Sequence, residues 1–178
     1  MKFITRGLTA FALIASSTAL SLEVGDMAPD FSLPASDGKT YSLDLFKDKQ
    51  AIVIAWYPMA YTHGCTIECK SLAENGHLLK QFDVSYFMAS VDSIEKNTAF
   101  AESTQADFPL LSDTSKKVAK AFDVLAFYGI PKRHTIYIGK DGKILMVDRK
   151  INAATSAQDI AANLEKLGVP KIALSSSE

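Results

Sequence analysis

The chain has 178 residues, 48% of them hydrophobic, and a formal net charge of −1. That length suits one domain with a core of its own. The near-neutral balance, with no basic stripe, argues against a nucleic-acid partner.

Lys2 and Arg6 precede an uncharged stretch over residues 7–20, rich in Ala, Leu and Phe, and Ser17 and Ala19 supply small residues for an export-type cleavage. The apolar part falls short of the ~20 residues a membrane span needs. Residues 1–21 are therefore expected to be a cleaved secretory signal peptide, with 22–178 as a single mature domain. The competing reading is an uncleaved N-terminal anchor. No cysteine lies near the cleavage region, so a lipid-anchored product is not supported.

Beyond the leader, Ala28 before Pro29 is expected to be extended, and Phe31 and Leu33 alternate with polar neighbours. Ser36, Asp37, Gly38 and Lys39 form a turn signal between 31–33 and 40–43, which predicts a small hairpin. The polar cluster 47–50 reads as a solvated loop. Residues 51–56, Ala-Ile-Val-Ile-Ala-Trp, form an apolar, β-branched run, the pattern of a strand buried on both faces. The run breaks at Pro58, crosses a loop with Thr62, His63 and Gly64, and arrives at Cys65. A helical pattern follows, with Ile67, Leu72, Leu78, Leu79 and Phe82 on or near one broad face. Cys65 is thus expected in the first turn of a helix that follows a central strand. Backbone N–H groups are unpaired there, and the helix dipole favours an anion.

Further on, 84–91 reads as a second buried strand, followed by a helix over 94–105 with Phe100 inward. A short segment, 108–111, leads to a helix over 115–122. A strand is expected over 135–138, then a turn at Asp141-Gly142 into a strand over 143–147. An amphipathic helix over 155–167 stops at Gly168. Alternating strands and helices that close on a hairpin and a helix indicate an α/β layered domain.

Pro58, Thr62 and Cys65 spell P-x3-T-x2-C. This resembles the active-site motif of the peroxiredoxins, in the AhpC/TSA redoxin superfamily. Trp56-Tyr57-Pro58 with Gly64-Cys65-Thr66 and Glu68 is most similar to the Q-type, or bacterioferritin-comigratory, branch. Gly25, Ala28, Pro29 and Phe31 resemble the family's opening G-x-x-A-P-x-F, and the likeness runs from about Val24 to the C-terminal helix. It implies a thioredoxin-like fold: a central mixed sheet flanked by helices, with an N-terminal β-hairpin extension. It further implies a thiol-dependent peroxidase that reduces hydrogen peroxide or organic hydroperoxides, without cofactor or metal. A dithiol, thioredoxin-like protein would regenerate it. The chain would act as a monomer or homodimer, exported to a bacterial periplasm and free of the membrane after cleavage.

Within that resemblance, Cys65 is the peroxidatic nucleophile, which would become a sulfenic acid; the plainer reading is a buried structural cysteine. Thr62 would align sulfur and peroxide, and Pro58 would shape the loop and shield the sulfur, where simple turn chemistry is the alternative. Of the three arginines, Arg6 lies in the leader and Arg149 reads as a solvated strand end. Arg133 precedes the strand 135–138, in a pattern like the family's R-x-T-x-x-I-x-x-D-G, and would stabilise charge at the sulfur; the plainer reading is a surface arginine at a strand start. Glu68 matches C-x-x-E and would pair with a cation; the alternative is an exposed helix glutamate. Cys69 would be the resolving thiol, although this branch usually places it five residues on rather than four; the alternative is a buried structural cysteine in a one-Cys enzyme resolved by an outside thiol. On an intact helix, i and i+4 Cβ atoms lie about 5–6 Å apart, whereas a disulfide needs roughly 3.5–4.5 Å. The first turn must therefore open.

Two other classes compete. Cys65-x3-Cys69 with a later histidine, His134, also resembles copper-binding thioredoxin-fold proteins of oxidase assembly. Those carry Pro directly after the first cysteine, where this chain has Thr66. A general thiol–disulfide oxidoreductase would favour C-x2-C.

Overall fold

The computed structural model describes residues 21–172; the leader expectation falls on residues 1–20, outside the described residues. Strands β1 (Ser32–Pro34) and β2 (Thr40–Ser42) form the expected antiparallel hairpin, Leu33 opposite Tyr41. They precede β3 (Ala51–Trp56), α1 (His63–Asn75), β4 (Val84–Ser90), α2 (Ile94–Thr104), β5 (Leu110–Ser112) and α3 (Lys117–Ala121). The chain closes with β6 (His134–Ile138), β7 (Ile144–Asp148) and α4 (Ser156–Lys166).

The five-stranded sheet runs β5-β4-β3-β6-β7. β4 lies parallel to β3, and β5 parallel to β4. β6 lies antiparallel to β3, and β7 antiparallel to β6. β3 is central, and all six of its residues are buried. Its side chains alternate between two cores. Ala51, Val53 and Ala55 pack with Leu72 of α1, Phe100 of α2 and Ile160 and Leu164 of α4. Ile52, Ile54 and Trp56 pack with Leu33, Phe46 and Phe122, beneath the hairpin and α3. Each such large apolar side chain contributes roughly 1.5–3 kcal/mol on burial, so β3 is a rigid base for the loop that leaves its C-terminal end.

Three expectations shift. α1 stops at Asn75 and passes into a 3-10 turn, Gly76–Leu78, so Leu78, Leu79 and Phe82 lie past its end. A Cβ at Gly76 would lie 2.7 Å from the Tyr86 hydroxyl, and this close approach needs glycine. The face that α1 buries is Cys65, Glu68, Cys69, Ser71 and Leu72, while Ile67 is only half-buried. α3 is shorter than the pattern suggests because Lys116, at φ 61°, and Asp123, at φ 54°, leave helical geometry at either side. The segment after Phe108 is an edge strand, because Leu110–Ser112 pairs with Met88–Ser90.

Candidate active site

Two chain segments meet at the C-terminal end of β3. One is the loop from Tyr57 into α1. The other is the start of β6, where His134 pairs with Trp56, so Arg133 stands beside the loop. Cys65 is the third residue of α1 and wholly buried. Arg133 Nη2 donates to its sulfur at 3.0 Å. Arg133 Nη1 donates to Glu68 Oε2. One planar fork thus spans a sulfur and a carboxylate set three residues apart on one helix face. Gly64 makes room for it, since a Cβ there would sit 3.2 Å from Nη2.

Glu68 is 0% exposed, and its other oxygen accepts from Ser156 Oγ, at the start of α4, at 3.5 Å. It is not the solvent-facing residue that a charged helix position ordinarily suggests. Burial pushes its carboxyl above the ordinary range, and the Arg133 charge works against that rise. Arg133 is 21% exposed, so its guanidinium stands between the buried carboxylate and solvent.

Thr62 is the residue before α1, and its hydroxyl donates to the Met59 carbonyl at 3.0 Å rather than to the sulfur. Its oxygen lone pairs remain as acceptors. Its own carbonyl accepts from the Thr66 hydroxyl and backbone N–H, both at 2.9 Å. Pro58, half-buried, follows the buried Tyr57. Cys69 is 0% exposed and lies one turn beyond Cys65 in an intact helix; both thiols are free. Its sulfur lies 3.1 Å from Thr104 Oγ1, and burial pushes the thiol up to about 11.

Sequence reasoning missed the support beneath the loop. The Ala60 N–H donates to Asp92 Oδ2 at 2.8 Å, and Lys96 Nζ lies 2.6 Å from Asp92 Oδ1. Tyr57 donates its hydroxyl to Asn97 Oδ1 at 2.7 Å, and Asn97 Nδ2 donates to Ser112 Oγ and the Leu111 carbonyl. Tyr61 sits at φ 68°, with its ring edge-on to Phe100 at 5.2 Å. A bulky side chain in the left-handed region costs about 1–2 kcal/mol, so packing and the Asp92 anchor hold the loop in shape. The Asp92-Ser93 start of α2 was the available signal, because an acidic residue preceding a helix cap is free to bond a neighbouring loop.

Chemically, the site is a buried sulfur with a cation aimed at it, on a helix that Thr62 precedes. It suits a sulfur nucleophile that attacks a small electrophile and expels an anion. The copper reading needs an imidazole beside both sulfurs. Among the described residues no group of three or more His, Cys, Asp or Glu is disposed to hold a metal. His134 lies within β6, opposite Trp56, and His63 is exposed.

Residues 24–147 match the AhpC/TSA family. Peroxiredoxin Bcp of Escherichia coli K12 is 37% identical over 131 residues, 69% of this chain and 83% of that protein. Peroxiredoxin Bcp of Bacillus subtilis is 31% identical over 156 residues, 83% of this chain and 98% of that protein. Among solved structures, peroxidoxin BcpB of Mycobacterium tuberculosis superposes with a TM-score of 0.73 at 30% identity, covering 82% of this chain and 97% of that one. The thioredoxin-like α/β layering, with the central mixed sheet and flanking helices, is common to both.

Proposed function

This chain belongs to the AhpC/TSA family as a Bcp/Q-type peroxiredoxin, a thiol-dependent peroxidase, and on that premise we propose how its residues divide the work. Cys65 is the peroxidatic sulfur. As a thiolate it attacks one oxygen of the peroxide, the O–O bond breaks, and Cys65 becomes a sulfenic acid. The other oxygen leaves as hydroxide or alkoxide and takes up a proton. Arg133 stabilises the negative charge on the sulfur before attack and on the departing oxygen during it. Glu68 orients Arg133, and Thr62 offers its oxygen to the peroxide proton. Pro58 limits water at the sulfur. The observation that carries this assignment is the 3.0 Å contact from Arg133 Nη2 to the wholly buried Cys65 Sγ.

Cys69 then resolves the sulfenic acid. Its closeness to Cys65 in sequence supports this role, and the intact helix requires the first turn of α1 to open. A dithiol protein of thioredoxin-like type restores both thiols, supplying two electrons and two protons. The charged, then apolar, character of residues 1–20 supports export to a periplasm, with 22–178 as the mature domain; the buried Leu22 marks where packing begins among the described residues. No helix among the described residues is long and apolar enough to cross a membrane.

The test is peroxide consumption by the reduced protein together with its metal content after purification. Rapid loss that vanishes in Cys65→Ser, with no copper retained, is the expected result. Loss that persists in Cys65→Ser would refute the assignment.

A further inference from the structure

The two cysteines of α1 face opposite kinds of partner. Cys65 meets a guanidinium. Cys69 meets the hydroxyl of Thr104, on the last turn of α2, at 3.1 Å. A hydroxyl carries one proton and two lone pairs. The Thr104 oxygen lies 2.7 Å from the Phe100 carbonyl and 3.2 Å from that of Ala101, the back-bonding habit of threonine inside a helix. Its proton is therefore directed to its own helix. What remains for Cys69 is a lone pair, so the thiol donates S–H to the oxygen. A thiolate at Cys69 would face that lone pair with no proton between them. Both side chains are buried, so bulk water does not compete for the contact.

We propose that Thr104 is a positioning residue: it holds Cys69 in the helix as a neutral thiol and thereby restrains its release toward Cys65. The proposal rests on the reading of Cys69 as the resolving thiol. Closure is a balanced exchange. The first turn of α1 opens, the S–H···O bond to Thr104 breaks, and the Cys69 sulfur attacks the sulfenic sulfur of Cys65. The S–O bond of Cys65 breaks as the S–S bond forms. The oxygen leaves as water, taking the proton Cys69 gives up. Because the Thr104 bond exists only before opening, it stabilises the closed helix and slows closure. The sulfenic acid therefore survives longer, and excess peroxide has more time to oxidise it further.

Thr104→Val keeps the shape and removes the acceptor. Disulfide closure, followed by quenched-flow mass spectrometry after one peroxide equivalent, is expected to accelerate roughly 2- to 12-fold, the factor equivalent to one net hydrogen bond. Thr104→Ser should return the wild-type rate. The first step, sulfenic acid formation, should be unchanged, because the Thr104 hydroxyl bonds Cys69 and its own helix and neither Cys65 nor Arg133. Further oxidation of Cys65 at excess peroxide should fall. Thr104→Ala serves in place of Thr104→Val if that protein does not fold. Closure no faster in both acceptor-less variants overturns the proposal. No Cys65–Cys69 disulfide in the wild type overturns the resolving role itself, and the proposal with it. A readout independent of that role is the S–H stretch in Cys65→Ser, which leaves a single thiol. The band should lie at the lower, hydrogen-bonded frequency with Thr104 and move up in Thr104→Val. An unmoved band would overturn the donor assignment.

Discussion

Replacing Arg133 separates what its charge does from what its shape does. The guanidinium makes two charge-assisted contacts at once, Nη2 to Cys65 Sγ and Nη1 to Glu68. A lysine ammonium keeps the charge but is a single point and cannot span both. In Arg133→Lys, one contact is lost, and Glu68, wholly buried and carboxylate-bearing, is the stronger competitor for the remaining one. A hydrogen bond to a charged group contributes about 1.5–3 kcal/mol, so the Cys65–peroxide rate constant should fall about 10- to 150-fold. Arg133→Met removes both contacts and leaves Glu68 buried without a cation. Breaking a buried pair costs ~3–5 kcal/mol, and the 21% exposure of Arg133 places this pair at the low end. At about 2–4 °C per kcal/mol for a domain of this size, the melting temperature should drop by roughly 6–12 °C. The double variant Arg133→Met/Glu68→Leu should regain most of that stability and none of the rate. The rate is read by stopped-flow peroxide consumption and the stability by thermal unfolding. If Arg133→Met reacted with peroxide at the wild-type rate, or the double variant recovered activity along with stability, the electrostatic role of Arg133 would be refuted.

Two further outcomes follow from the same geometry. Gly64→Ala should lower both stability and rate: its Cβ, 3.2 Å from Nη2, displaces the guanidinium, which weakens the Glu68 pair by more than the about 0.5–1 kcal/mol that alanine gains in a helix, and slows the peroxide step. Thermal unfolding beside stopped-flow kinetics checks both signs, and a faster peroxide step would contradict the packing argument. Glu68 makes stability depend on pH. Burial raises its folded-state value above the ordinary 4.5, so the folded protein holds this proton more tightly than the unfolded chain does. The corresponding stabilisation is complete below about 4.5, the unfolded value, and is lost as pH rises through the raised folded value. Glu68→Gln should flatten that part of the stability profile, and an unchanged profile would show that another group is responsible.

How much the sequence disclosed depended on how local the determining forces were. The β-branched run 51–56 has its strand limits in its own composition and in Pro58, and β3 spans those residues. Cys65 in the first turn of a helix, and Arg133 immediately before the strand that pairs with β3, were legible for the same reason. The inward face of α1 was not. Hydrophobic periodicity favours Ile67, but the helix is turned so that Cys65, Glu68 and Cys69 face inward, and a buried glutamate is tolerable only because an arginine 65 residues away meets it. The Asp92–Ala60 anchor and the Tyr57–Asn97 bond likewise join segments 32 and 40 residues apart. In sequence they are an ordinary helix start and an ordinary aromatic. Thr104 was silent because a threonine near a helix end has many local uses, and only the packing of α1 on α2 brings its oxygen to Cys69.

The most direct measurement of the central claim is to trap the first oxidised sulfur. The fully reduced protein is given one equivalent of hydrogen peroxide in the presence of a sulfenic-acid-specific nucleophile such as dimedone, and the adduct is located by peptide mass spectrometry. Cys65 should carry the adduct, strongly diminished in Arg133→Met, if the central claim holds. An adduct on Cys69 alone, or a yield at Cys65 indifferent to the loss of Arg133, would contradict it.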